Sequence, residues 1–352
     1  MSGNAALGEA AVLAGCTCYF GYPITPQNEL TEYMAKRMPE AGGVFIQSES
    51  EIAAINMVLG ASAAGVRAMT SSSSPGVSLK QEGISYLAAD ELPAVVVNMV
   101  RGGPGMGNIS PAQSDYMQAT RGGGHGDYKT IVLAPGSVQE LTEIIPLAFD
   151  LAELYRNPVV ILGDGMLGQM MEPVDFDNIK PPKKYQKDYI LTGADGRPSR
   201  MIRSLLFDTK EEEEHNWKLF RKYQRMEQNE VRYEKYMLED AEMVAIAYGI
   251  GARIVKGAIK RLRQENLKIG MLRPVTLWPF PAKTIREMAN NISDFFVFEM
   301  STGQMVEDVK LALEGKGHIH FYGRPGGVIP TPVELSRIIS RHYYQARRRN
   351  KQ

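Results

Sequence analysis

Cysteine is nearly missing from the chain: 352 residues include two, Cys16 and Cys18. Successive side chains on a strand point to opposite faces, so a pair one residue apart cannot easily bridge, and reduced thiols are expected. Two thiols also fall short of an iron–sulfur cluster or a four-ligand zinc site, which would have to lie on another chain. No run of eighteen apolar residues is present, which argues against a membrane span. The opening "MSGNAALGEAAVLAG" has no basic stretch ahead of its small apolar residues, so it does not read as a signal peptide, and a cytoplasmic protein is expected. Excess charge is missing too. Forty basic residues balance forty acidic ones, so no global field draws the protein to nucleic acid or an anionic membrane. The basic end "RHYYQARRRNKQ" reads as a frayed, solvated terminus. Neither a G-x-S-x-G nucleophile elbow nor an H-E-x-x-H zinc motif occurs.

What is present is apolar in short runs. "PAVVVNMV" (93–100), "KTIVLAP" (129–135), "NPVVILGD" (157–164), "EMVAIAYG" (242–249) and "DFFVFEM" (294–300) alternate with helical patterns. Strands of parallel α/β sheets buried on both faces look like this. A hydrophobic content of 44% over 352 residues suffices for two cores. The alternation stops between 175 and 240, where a Pro/Lys stretch, "NIKPPKKYQKD", precedes a charged segment. In that segment Leu219, Tyr223, Met226, Tyr233 and Met237 fall on one face of a long surface helix. The expected organisation is a doubly wound, mostly parallel α/β domain over 1–174, a charged helical connector over 175–240, and a second such domain over 241–352.

Three segments carry chemistry. In "FGYPITPQNEL" (20–30) two prolines hold Tyr22 and Thr25 extended, giving a rigid loop that displays the Thr25 hydroxyl. Thr25 also suits the N-cap of a helix over "PQNELTEYMAKRM", with Pro26 at its first position. In "QSESEIAAINMVLGASAAGVRAMTSSSSPG" (47–76), Glu51 enters a segment that is small or apolar from Ile52 to Gly65. That helix is expected to be buried all round, with Gly60, Ala61 and Ala64 allowing close backbone approach. An acid there is also what the helix dipole favours, with Ser48 or Ser50 as cap. The following strand ends in "TSSSSPG", where Ser74 can open a new helix with free backbone amides. Arg101 follows the run 93–100 and opens the loop "RGGPGMGN". Open α/β sheets place ligands at such strand ends, and a guanidinium grips a carboxylate with two parallel hydrogen bonds. A surface arginine in a flexible loop is the plainer account.

A Glu entering a buried helix, with Gly60 nine residues later, resembles the pyrimidine-binding domain of thiamine-diphosphate enzymes, and the spacing selects Glu51 over Glu49. The resemblance implies that Glu51 meets the cofactor's aminopyrimidine. A carboxyl in a water-poor site there shares a proton with ring nitrogen N1′, so that the 4′-amino group reaches its imino form and deprotonates the thiazolium carbon. With "YPITP" and "NMVRGGPGMGN" in this order, essentially the whole chain resembles the α-type subunit of the 2-oxoacid:ferredoxin oxidoreductases. By that resemblance Thr25 and Arg101 hold the carboxylate and keto oxygen of the 2-oxoacid, Tyr22 and Gly102 are pocket neighbours, and Glu51 and Ser74 bind cofactor. The loop "SPAQSDYMQATRGGGHGDYKT" is most similar to branched-chain (3-methyl-2-oxobutanoate) members. It adds His125 as a pocket neighbour, although a lone His in such a loop is commonly structural.

The implied reaction is oxidative decarboxylation of a 2-oxoacid with coenzyme A to acyl-CoA and CO₂, with electrons passing to ferredoxin. The resemblance puts the Mg²⁺-diphosphate half of the thiamine site on a β-type subunit. It adds a γ-type subunit and places the iron–sulfur clusters on partners that include a ferredoxin-like δ-type chain. 2-Oxoglutarate and pyruvate members are the alternatives. Two sequence features compete. "LGDGMLGQMMEP" has the Gly163–Asp164–Gly165 start of a metal-diphosphate motif, but no Asn lies between 179 and 215 to complete it. "YGIGARIVKGAIKRL" begins a dinucleotide fingerprint at Gly249 and Gly251 yet has Ile254 at the third glycine. The next strand ends in Arg273 and Pro274 with no acid for a ribose, which leaves an NADP phosphate on Arg273 as the remaining opening. The resemblance instead makes 241–352 a transketolase C-terminal-like domain in which "RPVTLWPFP" serves packing and subunit contact. A dinucleotide-dependent enzyme and a non-catalytic assembly scaffold are the readings of other classes.

Overall fold

In a computed structural model of the chain, which describes residues 1–179 and 181–349, the apolar runs become the centres of two sheets. Strands β1 (Cys18–Gly21), β2 (Val44–Gln47), β3 (Ala68–Ser72), β4 (Ala94–Val100), β5 (Ile131–Leu133) and β6 (Pro158–Asp164) pair in parallel. Then come β7 (Tyr233–Tyr236), β8 (Met243–Ile246), β9 (Ile269–Pro274), β10 (Thr276–Trp278), β11 (Asp294–Glu299) and β12 (His318–Gly323). The sheet orders are β10-β5-β6-β4-β3-β1-β2 and β12-β11-β8-β9-β7, in which only β10 and β7 run antiparallel to their neighbours. Every residue of β4 and of β6 is buried, as strands covered on both faces must be. The covering helices are α1 (Gly3–Leu13), α2 (Asn28–Glu40), α3 (Glu51–Ala63), α4 (Ser74–Ala89), α5 (Tyr116–Arg121), α6 (Val138–Tyr155) and α7 (Gly165–Gln169). After the first sheet follow α8 (Thr209–Asn229), α9 (Gly249–Gln264), α10 (Ala282–Met288), α11 (Met305–Leu313) and α12 (Pro332–Arg349). The expected architecture of two mostly parallel α/β sheets is present. No helix among the described residues is long and apolar enough to cross a membrane.

Four sequence expectations are corrected. The long helix stops at Asn229, and Tyr233, expected on its face, instead lies in β7, paired with Pro274; Met237 follows β7 with a left-handed φ of 50°. Strand exchange is the physical reason: β7 closes the second sheet, while β10, from within "RPVTLWPFP", pairs Thr276 with Leu133 in the first. The basic end of the chain is not a frayed terminus as far as Arg349. It is the last turns of α12, with Tyr343 buried and bonded to Glu242 at 2.6 Å and Arg349 bonded to Asp294 at 2.5 Å; residues 350–352 lie outside the described part. Helix α3 is not buried all round. Ile52 is 50% exposed and Met57 36%, and Asn56, Gly60 and Ala64 continue the same open stripe. Nor does Thr25 cap α2, since Gln27 holds the cap position without a side-chain bond.

The segment after β6 and α7 straps the first domain together. Lys187 Nζ donates to Gly65 O at 2.7 Å and Leu191 N to Ala63 O at 2.8 Å, so this segment crosses the end of α3. Beneath it the Arg67 guanidinium joins Glu153 at 2.7 Å, Asp150 at 2.9 Å and the carbonyls of Ala14 and Lys183. Helix α8 then docks through buried Lys222, which donates to Arg156 O at 3.1 Å and pairs with Glu91, and through Tyr223, edge-on to Trp278. Removing one partner of a buried ion pair strands the other charge. Arg67→Ala is therefore expected to lower the unfolding free energy by about 3–5 kcal/mol, measured by urea denaturation, and to open the segment around Lys183–Leu191 to limited proteolysis.

Candidate active site

The C-terminal ends of β1, β3, β4 and β6 bring together the loops that the sequence marks, as open parallel sheets do. Glu51 is the first residue of α3 and 6% exposed; Ser50 caps the helix by accepting from Ala53 N at 3.3 Å. The carboxyl lies against Gly76, in the first turn of α4, where any Cβ would overlap Ser72 Oγ and Glu51 Oε1. Glycine is required there by close approach rather than by backbone dihedral. The hydroxyls of Ser72 and Ser73 are buried without a partner, so the rim of this cradle holds polar groups with capacity for a ligand.

Arg101 leaves β4 with 7% exposure. Its Nη1 donates to Thr25 O at 2.9 Å and its Nη2 to Met106 O at 3.3 Å, while Nε is buried without a partner. The guanidinium thus ties the loop of Thr25 to the glycine-rich loop, and no carboxylate among the described residues pairs with it. The plainer account, an arginine in a flexible surface loop, does not hold. The loop closes on itself: Gly102 N donates to Ser110 O at 2.9 Å, Asn108 N to Gly102 O at 3.0 Å, and Gly107 needs its φ of 54°. Thr25 precedes a cis peptide to Pro26 and accepts from Asn28 Nδ2 at 3.4 Å, which leaves the hydroxyl proton for another acceptor. Tyr22 is 37% exposed on the same loop.

Ser74 does not offer a free amide. Its N–H donates to Asn98 Oδ1 at 3.1 Å and its hydroxyl accepts from Arg101 N at 3.1 Å, so its side chain holds Arg101 in place. Asn98 in turn donates to Asp115 at 2.9 Å, and burial pushes the Asp115 carboxyl above its ordinary range against hydrogen bonds from Ser74 and Asn98. His125 is exposed, lies edge-on to Tyr86 at 6.2 Å, and bonds to none of Thr25, Glu51 or Arg101. The structure brings Glu51, Ser74, Arg101, Gly102 and Thr25 into one region and leaves His125 outside their hydrogen-bond network.

The competing motifs resolve as packing. Asp164 caps α7 by accepting from Met166 N at 2.9 Å and Leu167 N at 3.1 Å, and burial pushes its carboxyl up to about 6. Among the described residues no group of three or more His, Cys, Asp or Glu is placed to hold a metal. At the start of α9 the Gln113 side chain stands over Gly249 and Gly251, donating to Tyr248 O at 3.0 Å and accepting from Met300 N at 2.9 Å. Arg273 is bidentate on Glu140, at 2.9 and 2.6 Å, and bonds Glu234 at 2.9 Å. The turn is filled and the arginine is committed.

One buried charged residue escaped the sequence reading. Lys80 on α4 is fully buried, with Nζ 2.8 Å from Thr70 Oγ1, and burial lowers it to about 7 while the charge of Glu51 raises it. The available signal was a lysine between Gly76 and Gly83 on a small-residue face of a helix.

Site and fold together define an α/β protein with a buried arginine that no carboxylate pairs among the described residues, and a glycine-floored cradle beside Glu51, at the strand ends of its first sheet. The chain belongs to the pyruvate flavodoxin/ferredoxin oxidoreductase family: the family's thiamine-diphosphate-binding model matches residues 9–238, and that of the pyruvate:ferredoxin oxidoreductase core domain II matches 241–335. A ketoisovalerate oxidoreductase subunit VorB of Methanothermobacter marburgensis is 50% identical over 96% of this chain and 95% of its own. A 2-oxoglutarate synthase subunit KorA of Methanothermobacter thermautotrophicus is 36% identical over 96% and 97%. Among solved structures, a 2-oxoglutarate:ferredoxin oxidoreductase from Magnetococcus marinus, with 2-oxoglutarate, coenzyme A and succinyl-CoA bound, superposes with a TM-score of 0.86 at 28% identity; the match covers 97% of this chain and 65% of that one. A split-gene transketolase, at TM-score 0.61 and 15% identity over 97% of each chain, shares the fold. The chain is thus a subunit of a 2-oxoacid:ferredoxin oxidoreductase whose first domain is of the thiamine-binding type.

The lowered Lys80 value has a sign that can be tested. The unfolded chain keeps this proton up to the ordinary 10.5, whereas the folded chain releases it near 7. Unfolding therefore takes up a proton between those values, and this group makes stability rise with pH across that window. The stability of wild type relative to Lys80→Met is expected to increase from about pH 7 to about pH 10 and to stay flat below, measured by urea denaturation at a series of pH values.

Proposed function

We propose that this chain is the α-type subunit of a thiamine-diphosphate-dependent 2-oxoacid:ferredoxin oxidoreductase acting on 3-methyl-2-oxobutanoate and similar branched-chain 2-oxoacids. The observation that carries the reading is Arg101, a buried guanidinium without a counter-anion, held between two loops by carbonyl oxygens. A charge removed from water without an anion is costly, and a 2-oxoacid carboxylate supplies the missing partner. The free proton of Thr25 suits the keto oxygen. The Arg121 guanidinium, the other one in the loops that follow β4, is paired with Asp308, so a second substrate carboxylate has no ready cation there. Met106, 80% exposed, and Ile109, 62% exposed, give the glycine-rich loop an apolar lining instead. That chemistry, with the 50% identity to a ketoisovalerate enzyme subunit, favours a branched aliphatic side chain over that of 2-oxoglutarate.

The cradle over Gly76 fits the cofactor's aminopyrimidine, with Glu51 as the group that shares its ring proton and Ser72 and Ser73 as unpartnered hydroxyls beside it. When bound, thiamine diphosphate supplies the carbon nucleophile that takes up the 2-oxoacid before decarboxylation. Glu51 holds and returns the proton at N1′, Arg101 fixes the carboxylate, and Ser74 fixes the backbone of Arg101. The exposed apolar stripe on α3 supports closure of the site by a β-type chain that carries the diphosphate half. With two cysteines on this chain, the iron–sulfur clusters belong to partner subunits, which include γ-type and ferredoxin-like δ-type chains, and coenzyme A accepts the acyl group.

The assembled complex, assayed with a low-potential viologen acceptor, is expected to prefer 3-methyl-2-oxobutanoate to 2-oxoglutarate and pyruvate in kcat/KM. Glu51→Gln is expected to reduce turnover by about 10²–10⁴-fold. Arg101→Met is expected to weaken kcat/KM by the equivalent of about 2–5 kcal/mol, with Arg101→Lys also impaired because the planar fork is lost. Full activity of Glu51→Gln would leave the scaffold account standing.

A further inference from the structure

The loop after β12, residues 324–331, leaves the second sheet and comes to rest on the glycine-rich loop that Arg101 opens. Its base is closed: Arg324 N donates to Glu299 O at 3.1 Å, the Arg324 guanidinium reaches Glu334 at 2.8 Å, and Thr331 Oγ1 accepts from Glu334 N at 3.1 Å. At the tip, Asn108 Nδ2 donates to Gly326 O at 3.0 Å across 218 positions of sequence. Beside this bond Gly327 packs so closely on Ser110 that a Cβ there would lie 2.3 Å from the serine Cβ. Between Gly102 and Ile109, among the described residues, Asn108 makes the one hydrogen bond to the second sheet or its loops.

The Asn108 side chain also holds its own loop. Its Oδ1 accepts from Ser110 N at 2.8 Å, its backbone N–H donates to Gly102 O at 3.0 Å, and the amide lies over Gly102, where a Cβ would be 2.7 Å from Oδ1. The amide has one orientation, because turning it over would set its donor against the Ser110 N–H and its oxygen against the Gly326 carbonyl. Two residues earlier, the Met106 carbonyl accepts from Arg101 Nη2 at 3.3 Å. Asn108 therefore connects the second sheet to one of the two carbonyls that aim the guanidinium, the other being that of Thr25. We propose that Asn108 is a positioning residue: through it the loop after β12 fixes the Met106 carbonyl, and with it the angle at which Arg101 presents its guanidinium to the substrate carboxylate. A guanidinium grips a carboxylate through a planar fork, so a small rotation weakens both bonds at once. Binding groups keep their aim only when the residues that support them are themselves locked. This inference rests on Arg101 holding the 2-oxoacid carboxylate, as proposed above.

The test combines steady-state kinetics with hydrogen–deuterium exchange on the assembled complex carrying Asn108→Ala, Gly327→Ala or both. Asn108→Ala is expected to raise KM for 3-methyl-2-oxobutanoate by about tenfold, with a smaller fall in kcat, since a loss of active protein alone would leave KM where it was. Gly327→Ala disturbs the same contact from the opposite loop and is expected to act alike. The double variant is expected to be no worse than either single one, because both changes break one contact. Amide exchange over 324–331 is expected to quicken in Asn108→Ala, and thiamine diphosphate affinity, read by isothermal titration calorimetry, to stay at the wild-type value. An unmoved KM, a loss confined to kcat, effects that multiply in the double variant, unaltered exchange over 324–331 or an equal loss of cofactor affinity overturns the proposal. Arg101→Met separates the two readings. An unmoved KM in that variant overturns the carboxylate role of Arg101 itself, whereas a raised KM there beside an unmoved KM in Asn108→Ala overturns the positioning role alone.

Discussion

The Arg101 guanidinium organises the C-terminal edge of the first sheet. Among the described residues it is the one side chain bonded to carbonyls of both the Thr25 loop and the glycine-rich loop, and its own backbone is clasped by Ser74 at the start of α4. One residue at the end of β4 thereby links three loops that come from distant parts of the sequence. The linkage uses two faces of the guanidinium and leaves Nε without a partner. A site built on a buried, incompletely satisfied cation is held together by neutral dipoles and finished by an anion. The same residue therefore ties the loops together and keeps a donor for the substrate carboxylate proposed above.

Burial explains which parts of the fold could be read from sequence. The five apolar runs singled out as strands became β4, β5, β6, β8 and β11, all fully buried. Of the seven strands outside those runs, β1, β3 and β9 lie inside the sheets, and β2, β7, β10 and β12 are the four sheet edges. Three of them are partly open to solvent: Val44 and Ile46 of β2 are exposed, and β7 and β12 alternate or mix exposed with half-buried positions. An edge strand carries the mixed pattern that suits one covered side, and over four residues such a pattern is indistinguishable from a helix or a loop. That is how Tyr233 came to be counted on a helical face. β10 is buried but only three residues long, and its partner lies far away in sequence, so nothing local marks it.

The candidate site was legible where a residue is forced by geometry and illegible where a charged side chain turns inward. Glu51, Thr25 and Arg101 stand at turns between a strand and a helix, where Pro, Gly and Ser announce a change of direction. The sequence also misjudged α3, since an all-apolar helix pattern implies burial but does not say by what. Ile52, Met57, Gly60 and Ala64 point away from this chain's own core, which is how a helix reads when part of its cover comes from elsewhere. Lys80 was missed because a lysine in a helix normally marks the solvent face, and only the flanking Gly76 and Gly83 mark it as facing a neighbouring helix.

These features follow from one division of labour between charge and burial. The first domain buries Glu51, Lys80 and Arg101 near β3 and β4 without an ion pair among the described residues; Thr70 bonds Lys80 and loop carbonyls bond Arg101, with Asn98 and Asp115 behind. Elsewhere buried charges are closed, Arg67 with Glu153 and Arg273 with Glu140 as ion pairs, Asp164 and Glu299 by backbone amides. Closed pairs fix one structure and have no further capacity. The open groups at the strand ends keep theirs, and this is the capacity that the proposed function uses for a substrate carboxylate and a shared proton. The Arg67–Glu153 pair joins the turn before β3 to the last turn of α6, whereas the unpaired Arg101 stands at the end of β4, so what holds the domain together is apart from what it is proposed to bind.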